Sequence, residues 1–177
     1  MNIFEANIVL WIQENLRFSP LNPVMQFITA LGDDGIFWIA LAVILLFFRK
    51  TRRVGMCCAL ALVLDLLVVN ICLKPLFARV RPYEVQQAIQ IITSLPGDHS
   101  FPSGHSAASF ACAWAFYRSM DKKFGVPALV LAALIAVSRL YVGVHYPTDV
   151  IGGVVIGIAL AEIAVRAVKA ASSRTKR

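Results

Sequence analysis

Apolar residues fill most of this chain in long stretches that polar segments separate. Five such stretches stand out: residues 35–48, 54–73, 104–117, 124–137 and 148–168. A helix needs about 20 predominantly apolar residues to cross the ~30 Å hydrocarbon core of a bilayer. The pattern therefore predicts an all-α fold, an integral-membrane helical bundle.

The N-terminal segment has a different pattern. Residues 3–16 place apolar side chains on one helical face, which is typical of an amphipathic helix lying on a membrane surface. Residues 20–32 predict a second short helix, which Asp33 and Asp34 end. Residues 35–48 are few for a span, so this stretch either draws on flanking residues or joins the 20–32 helix in one long kinked element. We therefore expect five to six transmembrane helices and an N-terminal interfacial helix.

Composition supports the membrane interpretation. The chain has 177 residues, of which 59% are hydrophobic, whereas a soluble domain is about 45–50% apolar. A chain this short has no interior large enough to hide the excess from water. We expect one domain over residues 1–177, with N-terminal helices in 1–33, a transmembrane bundle carrying the active site in 34–168, and a basic cytoplasmic tail in 169–177.

The positive charges indicate an orientation in the membrane. The formal net charge is +7, and 12 of the 17 Lys and Arg residues lie in three segments on one predicted side: residues 49–53, 118–123 and 166–177. The positive-inside rule makes this side, and with it the C-terminus, cytoplasmic. Membrane lipids account for the basic charge, so no nucleic-acid partner is expected.

Four basic residues break this rule on the outer side and lie near all three histidines: Lys74, Arg79, Arg81 and Arg139. Three of them, Lys74, Arg81 and Arg139, suit the binding of phosphate, because transferring a phosphoryl group requires positive charge around its oxygens. Ser103 and Gly104 open a helix, whose free N–H groups can bind an oxyanion. The outer side therefore carries candidates for a phosphate site.

The histidines supply the remaining chemistry. His145 and Asp149 are four residues apart at a helix start, so the carboxylate can hold one imidazole nitrogen while the other acts as nucleophile. His105 can protonate the leaving group as general acid. These residues require neither a metal nor an organic cofactor.

Each cluster alone has a simpler explanation. Outer arginines can neutralise lipid headgroups, Pro-Ser-Gly is often a turn before a helix cap, and a His–Asp pair is often a helix-surface contact. The joint occurrence of all three clusters on one membrane face favours a catalytic site.

Three sequence motifs carry a resemblance to a known family. They are K-x6-R-P from Lys74 to Pro82, P-S-G-H from Pro102 to His105, and S-R-x5-H-x3-D from Ser138 to Asp149. Together they resemble the type 2 phosphatidic acid phosphatase superfamily, which includes membrane lipid phosphatases and is related to vanadium haloperoxidases and glucose-6-phosphatase.

The resemblance implies a metal-independent mechanism on a helical bundle. It implies that His145 attacks phosphorus and forms a phosphohistidine, that Asp149 orients His145, and that His105 protonates the leaving group and later activates water. The residues implied to hold the phosphate are Lys74, Arg81, Ser103, Gly104 and Arg139.

The resemblance implies a lipid phosphate or a polyprenyl diphosphate as the substrate. The short chain and the outward site are similar to bacterial undecaprenyl-diphosphate phosphatases, and a phosphatidylglycerophosphate or phosphatidate phosphatase is the alternative. A non-enzymatic lipid-binding or scaffolding protein on the same fold is a third hypothesis. We expect a multi-pass protein of the bacterial cell membrane with an extracytoplasmic active site.

Several other residues allow a functional or a structural interpretation. Asp98 and His99 either tune the site or belong to a plain exposed loop, and the loop is the favoured interpretation. Asp65 and Asn70 either act in function or hydrogen-bond between helices. The small-residue step from Gly153 to Gly157 predicts close helix packing inside the bundle.

Overall fold

Every regular element is a helix across residues 3–174, the part of the chain that the computed structural model describes. Residues 1–2 and 175–177, at the ends of the predicted N-terminal segment and basic tail, lie outside the described residues. The nine α-helices of the described part are α1 (Ile3–Leu16), α2 (Asn22–Ala30), α3 (Ile36–Phe47), α4 (Arg52–Asp65), α5 (Lys74–Phe77), α6 (Pro82–Val85), α7 (Gly104–Ser119), α8 (Lys122–Tyr141) and α9 (Pro147–Arg174).

Three helical stretches in the described part are long and apolar enough to cross a membrane: Arg52–Val85, Lys122–Tyr141 and Pro147–Ser173. A fourth candidate is the pair Asn22–Ala30 and Asp33–Phe47, which are bent by 44° where they meet and so match the predicted kinked element. The all-α membrane fold is confirmed. The count of five to six spans and the interfacial position of α1 are not confirmed and stay predictions.

Helix α7 lies at the centre of the bundle and packs against α4, α8 and α9. It can do so because its buried positions are mostly small, including Ala107 and Ala111. On the facing helix, a Cβ at Gly157 would lie 2.4 Å from the Ala107 carbonyl oxygen, and one at Gly153 would lie 2.6 Å from that of Ser103. The close packing predicted from these glycines is therefore confirmed, and it brings the start of α7 against the start of α9.

Helix α1 buries a narrow face against the outer loops. Ala6 and Val9 are fully buried and pack with Ile89 and Tyr146, while large apolar side chains such as Phe4 are exposed. The buried positions are therefore mostly not those of the apolar face read from the sequence. This packing holds α1 beside the turn that precedes α9.

An irregular segment follows α4 and carries the first motif. The helix continues from Leu66 to Leu73 with wider, π-helical turns and resumes as α5. Helix α5 ends at Phe77, and the next residue, Ala78, has a left-handed φ of 42°. Such π-helical turns often mark functional sites, and here the turns place Lys74 next to the beginning of α7.

We predict that Gly157→Ala destabilises the bundle by about 1–3 kcal/mol, the usual cost of overpacking. The added Cβ must displace the α7 backbone because it meets a carbonyl oxygen at 2.4 Å. Thermal unfolding in detergent measures the effect. Gly97→Ala is the matched control, since no atom lies within 4 Å of its added Cβ. Equal melting temperatures for the two variants would contradict the prediction.

Candidate active site

A cavity of about 970 Å³ lies at the ends of the helices where the three motifs meet. Six of the eight site residues predicted from the sequence line it: Lys74, Arg81, Gly104, His105, Arg139 and His145. The other two, Ser103 and Asp149, are fully buried next to these residues. The structure therefore brings residues that are 75 positions apart in sequence into one site.

His145 is held in the turn between α8 and α9. Gly143 makes this turn possible with a left-handed φ of 85°, and a Cβ there would be 3.0 Å from Ile89. Nδ1 of His145 lies 3.4 Å from Oδ2 of Asp149, while Nε2 is on the other side of the ring, 3.4 Å from Nη1 of Arg81. His145 therefore has the expected carboxylate at Nδ1, and it is one of the residues that line the cavity.

The surroundings keep His145 neutral. Burial, followed by the positive charges of Arg139 and Arg81, lowers its pKa to about 3, although Asp149 opposes the shift. A neutral imidazole has the free lone pair that a nucleophile needs. The ring therefore stays nucleophilic throughout the neutral pH range.

Asp149 accepts hydrogen bonds from several donors besides the imidazole. Ser100 Oγ and the backbone N of Tyr146 donate to Oδ2 at 2.5 and 2.9 Å, and Nη1 of Arg79 donates to Oδ1 at 2.6 Å. Nη2 of Arg79 also donates to the buried Glu5 of α1 at 3.0 Å. Glu5 and Ser100 had no assignment from sequence, and only the outward position of Arg79 gave a signal.

Arg81 is the most extensively bonded cation of the site. It is 2% exposed, and it donates to the Val144 carbonyl at 2.8 Å and to the Asp98 carbonyl at 2.9 Å. Its Nη2 also donates to Oδ1 of Asp98 at 2.5 Å. Oδ2 of the same carboxylate accepts a hydrogen bond from Lys74.

Asp98 thus bridges two of the three cations assigned to phosphate. Burial raises the pKa of Asp98, but the hydrogen bonds and charges of Lys74 and Arg81 outweigh burial and hold the pKa below its usual range. Asp98 lies in an exposed loop, as favoured from sequence, but it also pairs with two cations of the site. His99 is exposed.

Arg139 is buried beside the other cations, at 3% exposure. Its Nη1 donates to Thr29 Oγ1 at 2.5 Å, while its Nε has no hydrogen-bond partner. A buried guanidinium donor without an acceptor is costly unless a ligand supplies one. Arg139 is therefore well suited to a phosphate oxygen.

Ser103 and Gly104 begin α7 in different roles. The Ser103 hydroxyl caps the helix by accepting from Ser106 N at 3.4 Å, so it faces the helix turn. Gly104 lines the cavity, and a Cβ there would lie 3.2 Å from Nζ of Lys74. The absence of a side chain lets the ammonium group approach the helix N-terminus, where free N–H groups favour an anion.

The second histidine also has a carboxylate partner. Nε2 of His105 is 2.9 Å from Oδ1 of Asp33. The sequence indicated Asp33 only as a residue that ends a helix. Deeper in the cavity wall lie Asp65 and Asn70, and Oδ1 of the buried Asp65 has no hydrogen-bond partner. Asp65 Oδ1 therefore makes no helix–helix hydrogen bond of the kind considered from sequence.

Comparison with known proteins identifies the family. Residues 53–173 match the PAP2 superfamily, and this range contains all three motifs. The chain belongs to the PAP2 superfamily. The resemblance deduced from the motifs is confirmed, and with it the class of membrane lipid phosphatases.

Several members of the PAP2 superfamily are similar over most of the chain. The undecaprenyl-diphosphatase of Sulfolobus acidocaldarius is 30% identical, over 80% of this chain and 68% of its own. Phosphatidylglycerophosphatase B of Bacillus subtilis is 36% identical, over 82% of this chain and 74% of its own. The crystal structure of Aquifex aeolicus LpxE aligns with a TM-score of 0.79 at 28% identity, covering 90% of this chain and 93% of the other.

We predict that Asp98→Asn tightens the binding of inorganic phosphate or orthovanadate several-fold. The carboxylate of Asp98 holds Lys74 and Arg81, so an incoming anion must compete with it for both cations. The inhibition constant of each anion, measured on the purified protein, tests this. Asp34→Asn removes the same charge from the same cavity wall and controls for charge alone. Unchanged or weaker inhibition of the Asp98 variant, relative to that control, would contradict the prediction.

Proposed function

We propose that this PAP2 protein hydrolyses a lipid phosphate or diphosphate through a phosphohistidine at His145, without a metal ion. The observation that carries the proposal is the placement of His145, which lines the cavity with Nδ1 beside Asp149 and Nε2 beside Arg81. Lys74, Arg81 and Arg139 supply the positive charge that a phosphoryl transition state needs.

The reaction proceeds in two displacements. The lone pair of Nε2 of His145 attacks phosphorus, the bond from phosphorus to the leaving oxygen breaks, and His105 gives that oxygen a proton. A water molecule then attacks the phosphohistidine while His105 takes a proton from it. The nitrogen–phosphorus bond breaks, phosphate leaves, and both histidines return to their starting protonation states.

The rest of the cavity fits a lipid tail. Besides its polar residues, the wall includes apolar side chains, among them Ile39 and Val43 of α3 and Leu62 and Val63 of α4. Ile39, Val43 and Val63 are also exposed. In a bilayer these residues contact hydrocarbon, so a substrate whose tail remains among the lipids can present its phosphate to His145.

Undecaprenyl diphosphate is the substrate we propose first. The apolar side chains of the cavity wall suit an isoprenoid chain. Two relatives named undecaprenyl-diphosphatase are each 30% identical over about four-fifths of this chain. A glycerolipid phosphate, such as phosphatidylglycerol phosphate or phosphatidate, is the second candidate, because the Bacillus subtilis phosphatidylglycerophosphatase B is 36% identical.

The proposed location is the bacterial cell membrane, with the site extracytoplasmic and the C-terminus cytoplasmic. The charges support this orientation: Arg52 and Arg53 begin α4, at the end away from Lys74. Lys122 and Lys123 likewise begin α8, at the end away from Arg139. The positive-inside rule assigns such clusters to the cytoplasm.

Phosphate release in detergent with excess chelator tests the proposed function. We expect turnover of undecaprenyl diphosphate to exceed that of phosphatidylglycerol phosphate and phosphatidate under identical conditions. His145→Ala is expected to lower turnover by about 10³-fold or more, since removing a nucleophile abolishes the covalent route. It should keep the elution volume and melting temperature of the unmodified protein.

Two results would count against the proposal. Full activity in His145→Ala would exclude the covalent route, and activity that chelator removes and Mg²⁺ restores would exclude the metal-free mechanism. A preference for a glycerolipid phosphate would leave the mechanism in place and change the substrate to the second candidate.

A further inference from the structure

Asp33 lies directly against the histidine that acts as general acid in the proposed reaction. Its Oδ1 is 2.9 Å from Nε2 of His105, and both residues line the cavity. Asp33 belongs to the turn between α2 and α3, ahead of residues 53–173 that match the family. A carboxylate at this distance orients an imidazole and stabilises its charged form.

The backbone of the turn fixes this contact. The backbone N of Ile36 donates to the Asp33 carbonyl, and that of Gly35 donates to the Gly32 carbonyl at 3.2 Å. Gly32 lies against the ring of His105, since a Cβ there would be 2.6 Å from Cδ2. Any larger residue at Gly32 would push the turn away from the ring, so the approach of Asp33 to His105 is built into the fold.

The charges around His105 give the carboxylate a task. Burial and the positive charges of Arg139 from α8 and Lys74 from α5 disfavour a protonated ring, whereas the hydrogen bond and charge of Asp33 favour it. A general acid must carry its proton when the leaving group departs. Without Asp33, the cations that bind the phosphate would also favour the neutral ring.

We propose that Asp33 is the positioning residue of the general acid: it holds Nε2–H of His105 and favours the protonated form of the ring, from which Nδ1 can donate to the leaving oxygen. This inference rests on the proposed function. It gives each histidine its own carboxylate on opposite nitrogens: Asp149 at Nδ1 of His145 and Asp33 at Nε2 of His105.

The leaving group provides a test that a structural role would not pass. An alkoxide is a poor leaving group and needs the proton, whereas a nitrophenolate is stable without one. The two probes are therefore a long-chain alkyl phosphate and a nitrophenyl phosphate that carries the same alkyl chain. The ratio kcat/KM isolates the first displacement, because this ratio reports only the steps up to loss of the leaving group.

Asp33→Asn in the full chain removes the charge and keeps the shape and the acceptor oxygen. We expect its kcat/KM to fall about 10-fold or more for the alkyl phosphate and by less than about threefold for the nitrophenyl phosphate, as part of the 10²- to 10⁴-fold effect of a general acid. His105→Ala should show the same selectivity in larger measure. The alkaline limb of the alkyl-phosphate profile should move to lower pH, because the protonated ring has lost its anion.

Asp34→Asn is the control, since it removes a neighbouring charge from the same turn, and we expect it to keep both rates. Equal losses for the two probes in Asp33→Asn, or no loss with an unmoved pH profile, would overturn the assignment of Asp33. A His145→Ala variant that remains active on both probes would instead overturn the proposed function, so the two failures are distinguishable.

Discussion

The rest of the site depends on the hydrogen bonds that the buried guanidinium of Arg81 donates. Its hydrogen bonds reach Val144, in the turn that carries His145, and Asp98, in the loop that leads to α7. A buried cation is stable only when its donors find partners. These hydrogen bonds hold the segments that carry the second and third motifs close to Arg81 in the first motif. Arg81 also lies beside Nε2 of His145, the proposed nucleophile.

The geometry of the nucleophile also depends on groups outside the motifs. Asp149 is held by Arg79, which in turn reaches Glu5 on α1, so the N-terminal helix contacts the charge network behind His145. A carboxylate fixed by several donors has little freedom to leave the imidazole. Helix α1 is therefore linked to Asp149 through Glu5 and Arg79, in addition to its apolar contacts.

Sequence was sufficient for the residues whose chemistry follows from type and spacing. The i,i+4 spacing predicted the pair of His145 and Asp149. The three cations were recognised as basic residues that break the positive-inside rule, and His105 as a histidine near such residues. The contacts of Asp33 and Asp98 could not be recognised, because they form only when folding brings each residue to a partner 72 or 24 residues away. The number of spans was predicted from apolar length and bilayer thickness. These criteria do not distinguish a lipid-facing helix from one such as α7, whose small residues pack inside the bundle.

The covalent intermediate on His145 is the central claim, and rapid quenching of the protein with ³²P-labelled lipid substrate tests it most directly. The account predicts a labelled protein whose bond to phosphate is stable in alkali and labile in acid, with the label mapped to His145 by mass spectrometry. Stopping hydrolysis of the intermediate with His105→Ala and a nitrophenyl leaving group should raise the labelled fraction. Catalytic turnover with no labelled protein at any quench time, or with the label on another residue, would contradict the account.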